Sequence, residues 1–408
     1  MANSRFSLLD TPALLFALGV LGLLFGIEFF AILSLNEGSF TYTLDDPYIH
    51  LALAENLLHG HYGVNVGETS AASSSIIWPV ILAPFSGWFF SALLLNALFA
   101  AATVYVLYRF MQQFMSNEVS YYVQTAILCV FIFASNLLGL SFMGMEHTLQ
   151  VLAVVLIALG LVQMIERGTM PACLPIIIIV APLVRYENLA ISAAALCFLL
   201  LQKQYKVSLI SGAVLFAALI AFSLLLISLG LGYMPSSVMA KNAVVQMNMQ
   251  ANTFLLHLTT NLTYRSGWVL LITDILLVIY ALLPKGLAAK RQLAICTALA
   301  ITLHLFIGRT GWYNRYEIYI GTFTLMVVLY LAWSYTYNNI QRKRWLYVVP
   351  AVPALLGVLY MSVPYVKDLF TLPLAANNVY EQHYQMHRFA ADFYNKPVAV
   401  NDLGLVAY

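Results

Sequence analysis

PALLFALGVLGLLFGIEFFAILS, residues 12–34, is an apolar run interrupted by one carboxylate, Glu28. About twenty such residues in a helix cross the ~30 Å hydrocarbon core of a bilayer. The rest of the chain is similar: 62% of its 408 residues are hydrophobic and 9% are charged, with a mean hydropathy of +0.84. Soluble domains carry about 25% charged residues. The composition therefore indicates an all-α integral membrane protein that crosses the bilayer several times.

Further apolar runs predict a bundle of about eleven transmembrane helices. The predicted spans lie near residues 12–34, 90–112, 118–138, 147–166, 172–184, 188–202, 207–230, 266–283, 291–308, 316–338 and 345–363. No small-residue cleavage site follows the first run, so we expect it to remain as a signal anchor. The four cysteines fall within apolar runs and lack the spacing of metal ligands, which argues against a structural metal site.

The basic residues between the predicted spans gather on one side of the membrane. They are Arg5, Arg109, Arg167, Lys203, Lys206, Lys285, Lys290, Arg291, Arg342, Lys343 and Arg344. The positive-inside rule makes that side cytoplasmic, which places the amino terminus inside and residues after 364 outside. The net charge of +2 is too small, and the basic residues too scattered, to indicate a nucleic-acid partner.

This topology divides the chain into a transmembrane module, residues 1–363, and an extracytoplasmic segment, residues 364–408. The module carries a long outer loop at residues 36–89, in which prolines interrupt the short apolar segment 74–88. We expect that segment to form an interfacial or re-entrant helix. The extracytoplasmic segment is predicted to contain a helix and then a strand at residues 397–401, the start of a further soluble α/β domain.

The outer loop contains the candidate chemistry in DDPYIHLALAENLLHGHYGVNVGE, residues 45–68. Asp46 before Pro47 is typical of a helix start, with an amphipathic helix expected to lie on the membrane surface and end near His59. Asp46 would then cap the helix, whereas Asp45 would point free and be a candidate general base. A solvated loop carboxylate is an equally good interpretation of Asp45 taken alone.

Other charged residues at predicted outer ends of spans are candidates for binding an anion. They are Arg185, Lys241, Arg309 and Arg315. Arginine matches a phosphate bidentately and lysine binds it as a point charge, although each of these side chains is equally well explained as an interfacial anchor. Glu146 is either a site residue or a favourable acid at a helix N-terminus.

Three histidines in the same loop raise the question of a metal. His50, His59 and His61 are separated by leucines and do not complete a coordination shell, so a divalent cation is left open and no metal ligand is assigned. His50 and Asn65 are instead candidates for binding substrate, and Glu68 either binds substrate or caps the next helix.

The order of residues in the first outer loop resembles that of the GT-C superfamily of membrane glycosyltransferases, closest to the arabinofuranosyltransferase-like subgroup. The matching pieces are D-D-x-Y-I from Asp45, A-x-N-L-x-x-G-H from Ala54, N-x-G-E from Asn65, and I-I-W ending at Trp78. Shorter similarities follow at residues 144–147 (GMEH), 185–187 (RYE), 235–241 (PSSVMAK) and 314–316 (NRY).

This resemblance implies a GT-C-like bundle that transfers a sugar from a polyprenyl-phosphate carrier to a glycan, lipid or protein acceptor at the extracytoplasmic face. Its membrane would be the bacterial inner membrane. In this interpretation Asp45 and Asp46 are the catalytic carboxylates; the cations Lys241, Arg315, Arg185 and Arg309 bind the donor phosphate; His50, Asn65, Glu68 and Glu146 contact substrate. The chain has no Gly-rich phosphate loop that would bind a nucleotide donor.

The alternative from another class is a transporter or flippase for lipid-linked sugars, or a non-catalytic binder of them. A transporter would place polar residues and broken helices near the bilayer midplane in two matching halves. The polar cluster instead lies at one face and early in the chain, which favours the enzyme.

Overall fold

The computed structural model describes residues 11–115, 119–241, 251–283, 287–311, 313–341, 351–400 and 402–408. Every regular element in these ranges is helical and none is a strand, so the predicted all-α class is confirmed. The first helices are α1 (Pro12–Leu35), α2 (Asp46–Leu58), α3 (Trp78–Leu82), α4 (Ser91–Met111), α5 (Tyr121–Ala134), α6 (Leu137–Phe142), α7 (His147–Arg167), α8 (Cys173–Val184) and α9 (Leu189–Leu201). The later ones are α10 (Tyr205–Ser228), α11 (Ser236–Lys241), α12 (Ala251–Asn261), α13 (Arg265–Leu282), α14 (Ala288–Ile307), α15 (Ile318–Gln341), α16 (Ala351–Val379), α17 (Gln385–Arg388) and α18 (Gly404–Ala407).

Six of the described helices are long and apolar enough to cross a membrane: α1, α4, α7, α10, α13 and α14. Their outer surfaces carry exposed large apolar side chains, such as Phe16 and Phe30 on α1 and Phe216 on α10. Exposed apolar surface on this scale suits contact with lipid. The protein therefore has the helices of a multi-pass membrane protein.

Six helices are fewer than the eleven or so spans that the sequence predicts, when a span must be both long and apolar within the described residues. The apolar helices α5, α8 and α9 have 14, 12 and 13 residues, fewer than the roughly twenty that a straight span requires. Two of these helices are short because the chain turns at Arg185, which divides one apolar stretch into α8 and α9.

The central helix is α7, which packs against α4, α8 and α15. Its ends carry two different polar clusters. Glu146 precedes its first residue, and near its other end Glu166 accepts a hydrogen bond from Tyr330 and lies 3.4 Å from the ammonium of Lys290. The 21 residues of α7 separate the two ends by roughly 30 Å, the thickness of a hydrocarbon core. Residues predicted outside gather at the first end, called here the Glu146 end.

An aromatic cluster supports the first outer loop at the Glu146 end. Tyr42 donates a hydrogen bond to the carbonyl of Phe89 at 2.8 Å, and its ring meets Tyr48 edge-on. Gly144 approaches this cluster with a φ of +69°, and a Cβ there would lie 2.6 Å from the Tyr42 ring. Both the left-handed backbone and the lack of space require glycine at this position of the GMEH sequence.

The outer loop differs from the prediction in how deeply it is enclosed. Helix α2 ends at Leu58, as expected, but most of its side chains are buried against α3 and α18, so it does not lie open on a membrane surface. The predicted helix in residues 74–88 is present as α3 and a 3₁₀ turn, Ala83–Phe85, with Trp78 fully buried.

The segment after the last predicted span also differs. Helix α16 continues past residue 363 to Val379 and the chain stays helical to Tyr394, so the predicted boundary at 363–364 lies inside a helix. Residues 397–400 do not form the predicted strand. A strand requires a partner, and the described part of the chain supplies none. Residue 401 lies outside the described ranges, as do Arg5, Lys285, Arg342, Lys343 and Arg344 of the basic set.

Candidate functional site

Glu146 is the centre of a buried ionic cluster and is completely shielded from solvent. Its Oε1 accepts hydrogen bonds from Nη1 of Arg185 at 2.6 Å and from the hydroxyl of Ser74 at 2.9 Å. Its Oε2 lies 3.5 Å from Nε2 of His50. Ser74 comes from the first outer loop, so this carboxylate ties that loop to α7 and to the turn at Arg185.

Arg185 joins two carboxylates. Besides Glu146, its Nε and Nη2 donate to the two oxygens of Glu187 at 3.1 and 2.6 Å, a bidentate pair of the strong kind. Burial alone would raise the pKa of Glu146, but the opposite charges of Arg185 and His50 outweigh it and hold that pKa below its usual range. The cluster is therefore a charged one, with its ions paired.

The local sequence explains the turn that holds Arg185. Pro182 lies inside α8 and has no amide hydrogen for the carbonyl four residues earlier, that of Ile178. The hydroxyl of Ser192 donates to that carbonyl instead, at 2.8 Å. Asn188 donates to the carbonyl of Ala181 at 2.8 Å and closes the turn. These bonds satisfy a broken helix among apolar neighbours.

A second ion pair joins Arg315 to Asp46. Nη2 of Arg315 donates to Oδ2 of Asp46 at 2.8 Å, and the arginine side chain is 1% exposed, whereas that of Asp46 is 32% exposed. The Nε and Nη1 of Arg315 are buried and have no hydrogen-bond partner among the described residues. Buried polar groups are normally hydrogen-bonded, so these two donors are able to bind an acceptor.

The ring of Tyr316 connects the two ion pairs. The guanidinium carbons of Arg185 and Arg315 lie 5.7 and 5.3 Å from its centroid, within cation–π range. Two cations that would otherwise repel are thus held beside the same aromatic ring. The RYE and NRY sequences meet here, although they are far apart in the chain.

The expected division of roles between the two aspartates is wrong. Asp46 is the first residue of α2 rather than its N-cap, and Asp45, which holds the N-cap position, makes no side-chain capping bond. Asp45 does not point free, because Oδ2 accepts from the amide of Gly404 at 2.5 Å and Oδ1 from that of Leu405 at 2.7 Å. Arg315 binds the carboxylate of Asp46, and the amides of α18 bind that of Asp45. These distant partners take the place of the cap that was expected at the start of α2.

A cavity of about 440 Å³ opens beside Arg185, Glu187 and Tyr316. Its lining is mainly apolar and comes from α9, α11, α12, α14 and the start of α15, together with the turns next to them and Ser74 of the first outer loop. It also contains His257, whose Nε2 is buried and lacks a hydrogen-bond partner in the described residues, as does the hydroxyl of Ser237. The cavity thus combines an apolar wall with unsatisfied polar atoms and a cationic edge.

The remaining predicted site residues fall in different places. Arg309 is exposed and lines the cavity. The side chain of Lys241 lies outside the described part of the structure. Asn65 donates to the carboxylate of Glu68 at 3.0 Å within an exposed turn, which His61 closes through the carbonyls of both residues. His50 is buried, and its Nδ1 faces the hydroxyl of Ser73 at 3.2 Å.

Sequence reasoning did not single out several residues of this site. Glu187 and Tyr316 belong to the RYE and NRY sequences, but only their arginines were candidates. Ser74, His257 and Ser237 gave no signal, because a lone serine or histidine in an apolar sequence is usually structural.

Comparison with known proteins adds no further assignment. Neither the family models nor the curated proteins include a match to this chain.

Proposed function

We propose that the protein is a membrane glycosyltransferase that moves a sugar from a polyprenyl-phosphate donor to a glycan, lipid or protein acceptor. The site would face the extracytoplasmic side of a bacterial inner membrane, in a GT-C-like bundle of about eleven spans. Supporting this, the residues of the DD, GMEH, RYE and NRY sequences meet at the Glu146 end of α7.

The observation that carries the proposal is the position of Arg315. It is buried, it shares the Tyr316 ring with Arg185, and two of its donors are unsatisfied next to the Asp46 carboxylate. A transfer from a lipid phosphate needs fixed cations where the phosphate charge develops and a carboxylate beside the attacking hydroxyl. Arg315 and the aspartates supply both kinds of group within one site.

In the proposed step, an aspartate takes the proton of the acceptor hydroxyl, whose oxygen bonds to the anomeric carbon of the sugar. The bond between that carbon and the phosphate oxygen breaks, and its electron pair leaves with the lipid phosphate. Arg315 stabilises the developing charge. Glu146 and Glu187 would hold Arg185 in place, and His50 would hold Glu146.

The cavity suits the donor lipid. Its apolar wall matches the first isoprene units, whereas Arg309, His257 and Ser237 offer charge and hydrogen bonds to a headgroup. The position of the charged groups at one end of α7, away from its apolar middle, favours transfer chemistry over transport across the bilayer.

The test is sugar transfer from a polyprenyl-phosphate donor by the purified protein in vesicles, with donor binding measured in parallel. Ala193→Phe fills the cavity and is expected to weaken donor binding at least tenfold. Ala221→Phe is the matched control, since Ala221 lies on the exposed surface of α10 and does not line the cavity. Donor binding without transfer would support a non-catalytic binder, and donor movement across the bilayer a flippase.

A further inference from the structure

The carboxylate of Asp45 is held by a segment more than three hundred residues away in the chain. Each of its oxygens accepts one backbone amide, from Gly404 or Leu405. Nδ1 of His383 lies 3.4 Å from Oδ1, and the side chain of Asp45 is 13% exposed. Two amides and an imidazole thus converge on one acid of the first outer loop.

The contact is built into the packing of α18. Leu405 is 3% exposed and belongs to the aromatic cluster around Tyr48, and the ring of Tyr408 lies 6.0 Å from that of Tyr48. A Cβ on Gly404 would lie 2.1 Å from the carbonyl oxygen of Asp45 and 2.5 Å from its Oδ2. Only glycine permits this approach. The start of α18 therefore packs as closely against the backbone of Asp45 as against its carboxylate.

His383 contributes charge from a different helical turn. Its Nε2 lies 3.9 Å from Asp402, so the imidazole stands between two carboxylates. The chain is helical from Ala351 to Tyr394, which fixes His383 relative to the bundle. The segment from Tyr380 to Tyr408 therefore meets Asp45 through two separate attachments.

We propose that this segment completes the active site, with His383 and the amides of Gly404 and Leu405 acting as positioning groups that fix Asp45 as the general base. The inference rests on the proposed function and adds the part of the chain that orients its base. An ionised carboxylate has about four lone-pair positions. The two amides use two of them and His383 faces a third, which leaves one for the acceptor hydroxyl, whose proton Asp45 takes.

The arrangement also adjusts the proton affinity of Asp45. Burial raises the pKa of this carboxyl, the amides of Leu405 and Gly404 and the charge of His383 lower it, and Asp402 raises it. Among the described residues, the buried Tyr48 also faces this carboxylate. Replacing His383 by a neutral residue removes one lowering influence, so the pKa of Asp45 must rise.

The first experiment measures kcat/KM for sugar transfer against pH in wild type, His383→Gln and His59→Gln. The acid limb of the profile is expected to move upward by about one pH unit in His383→Gln, the shift typical of a lost opposite charge at this distance. His59 is an exposed residue whose ring contacts the carbonyl of Glu55, and its variant should match wild type. If His383 is purely structural, His383→Gln will lower the rate without moving the acid limb of the profile. That result would overturn the proposal.

The second experiment tests the contact between the start of α18 and Asp45 with the variant Gly404→Ala. Turnover is expected to fall about 100-fold with KM for the donor little changed, because a displaced base affects the chemical step. The control is Gly19→Ala, since nothing lies within 4 Å of a Cβ at Gly19. Unchanged turnover in Gly404→Ala, or faster turnover, overturns the positioning role.

Hydrogen exchange separates this inference from the proposed function. The amides of Gly404 and Leu405 should exchange slowly in wild type and at least tenfold faster in Asp45→Ala. Fast exchange in the wild type overturns the positioning role even if sugar is transferred. Slow exchange in a wild type that transfers no sugar overturns the proposed function while the attachment to Asp45 stands.

Discussion

Arg315 donates a hydrogen bond to Asp46 across 2.8 Å, joining residues 269 positions apart in the chain. The pair links the loop after the first span to the loop before α15. It leaves Nε and Nη1 of the arginine unsatisfied beside the ring of Tyr316. The charges of the site are thus placed by long-range contacts, which makes the site sensitive to changes that preserve charge but alter geometry.

Arg315→Lys keeps the positive charge but removes the planar fork of donors. Turnover is expected to fall about 100-fold, the usual cost of one lost donor to a developing oxyanion, and donor affinity should weaken as well. The measurement is kcat and KM for the lipid donor. Arg265→Lys is the control, because Arg265 is an exposed residue stacked on Tyr360, and its rate should stay within about threefold of wild type. Equal rates for both variants would contradict a phosphate role for Arg315.

Glu146→Gln keeps the shape of the side chain and removes its charge. Arg185 then loses one of its two carboxylate partners in a site without solvent, and the free energy of unfolding should drop by about 3 kcal/mol. Reversible unfolding in mixed micelles measures this loss. Glu68→Gln, in an exposed turn, is expected to change the free energy of unfolding by less than about 0.5 kcal/mol. If the two variants are equally stable, the buried cluster does not hold the outer loop in place.

Glu317 is expected to make the free energy of unfolding depend on pH. Burial raises its pKa from 4.5 to about 6, against the opposing hydrogen bonds from Gly311 and Ser266. The folded state therefore holds a proton that the unfolded state releases between these values, so the stability this residue contributes is present below about pH 4.5 and is lost as the pH rises through 6.

Unfolding free energies from pH 4 to 7 test this linkage. The wild type should lose up to about 2 kcal/mol relative to Glu317→Gln across this range, since one pKa unit corresponds to about 1.4 kcal/mol. Ser266→Ala serves as a control that removes one hydrogen bond and keeps the titrating group. An identical pH dependence of wild type and Glu317→Gln would show that Glu317 does not titrate in this range.

Composition and periodicity predicted the helical class, the membrane environment and the end of α2, because apolar length and helix-stop residues act locally. They also placed Asp45, Asp46, Glu146, Arg185 and Arg315 on one side. The partners of these residues depend on tertiary contacts. Asp46 was expected to cap α2, but Arg315 takes its carboxylate, and the amides of α18 take that of Asp45.

The two short spans predicted on either side of Arg185, residues 172–184 and 188–202, match α8 and α9 closely. Hydropathy detects apolar length, but it does not reveal how the turn between them is satisfied, by hydrogen bonds from Ser192 and Asn188. The predicted strand at 397–401 needs a partner strand that its own sequence cannot supply, and the described residues there offer it none.

The most direct test of the central claim is sugar transfer from a polyprenyl-phosphate donor by wild type, Asp45→Asn and Asp46→Asn in vesicles, with donor binding measured on the same samples. Wild type is expected to transfer sugar, and Asp45→Asn is expected to bind donor normally but to turn over at least about 100-fold more slowly, as for a lost general base. Asp46→Asn should weaken both turnover and donor binding, because it releases Arg315. A wild type that binds donor without transferring sugar, or an Asp45→Asn variant with normal turnover, would contradict the account.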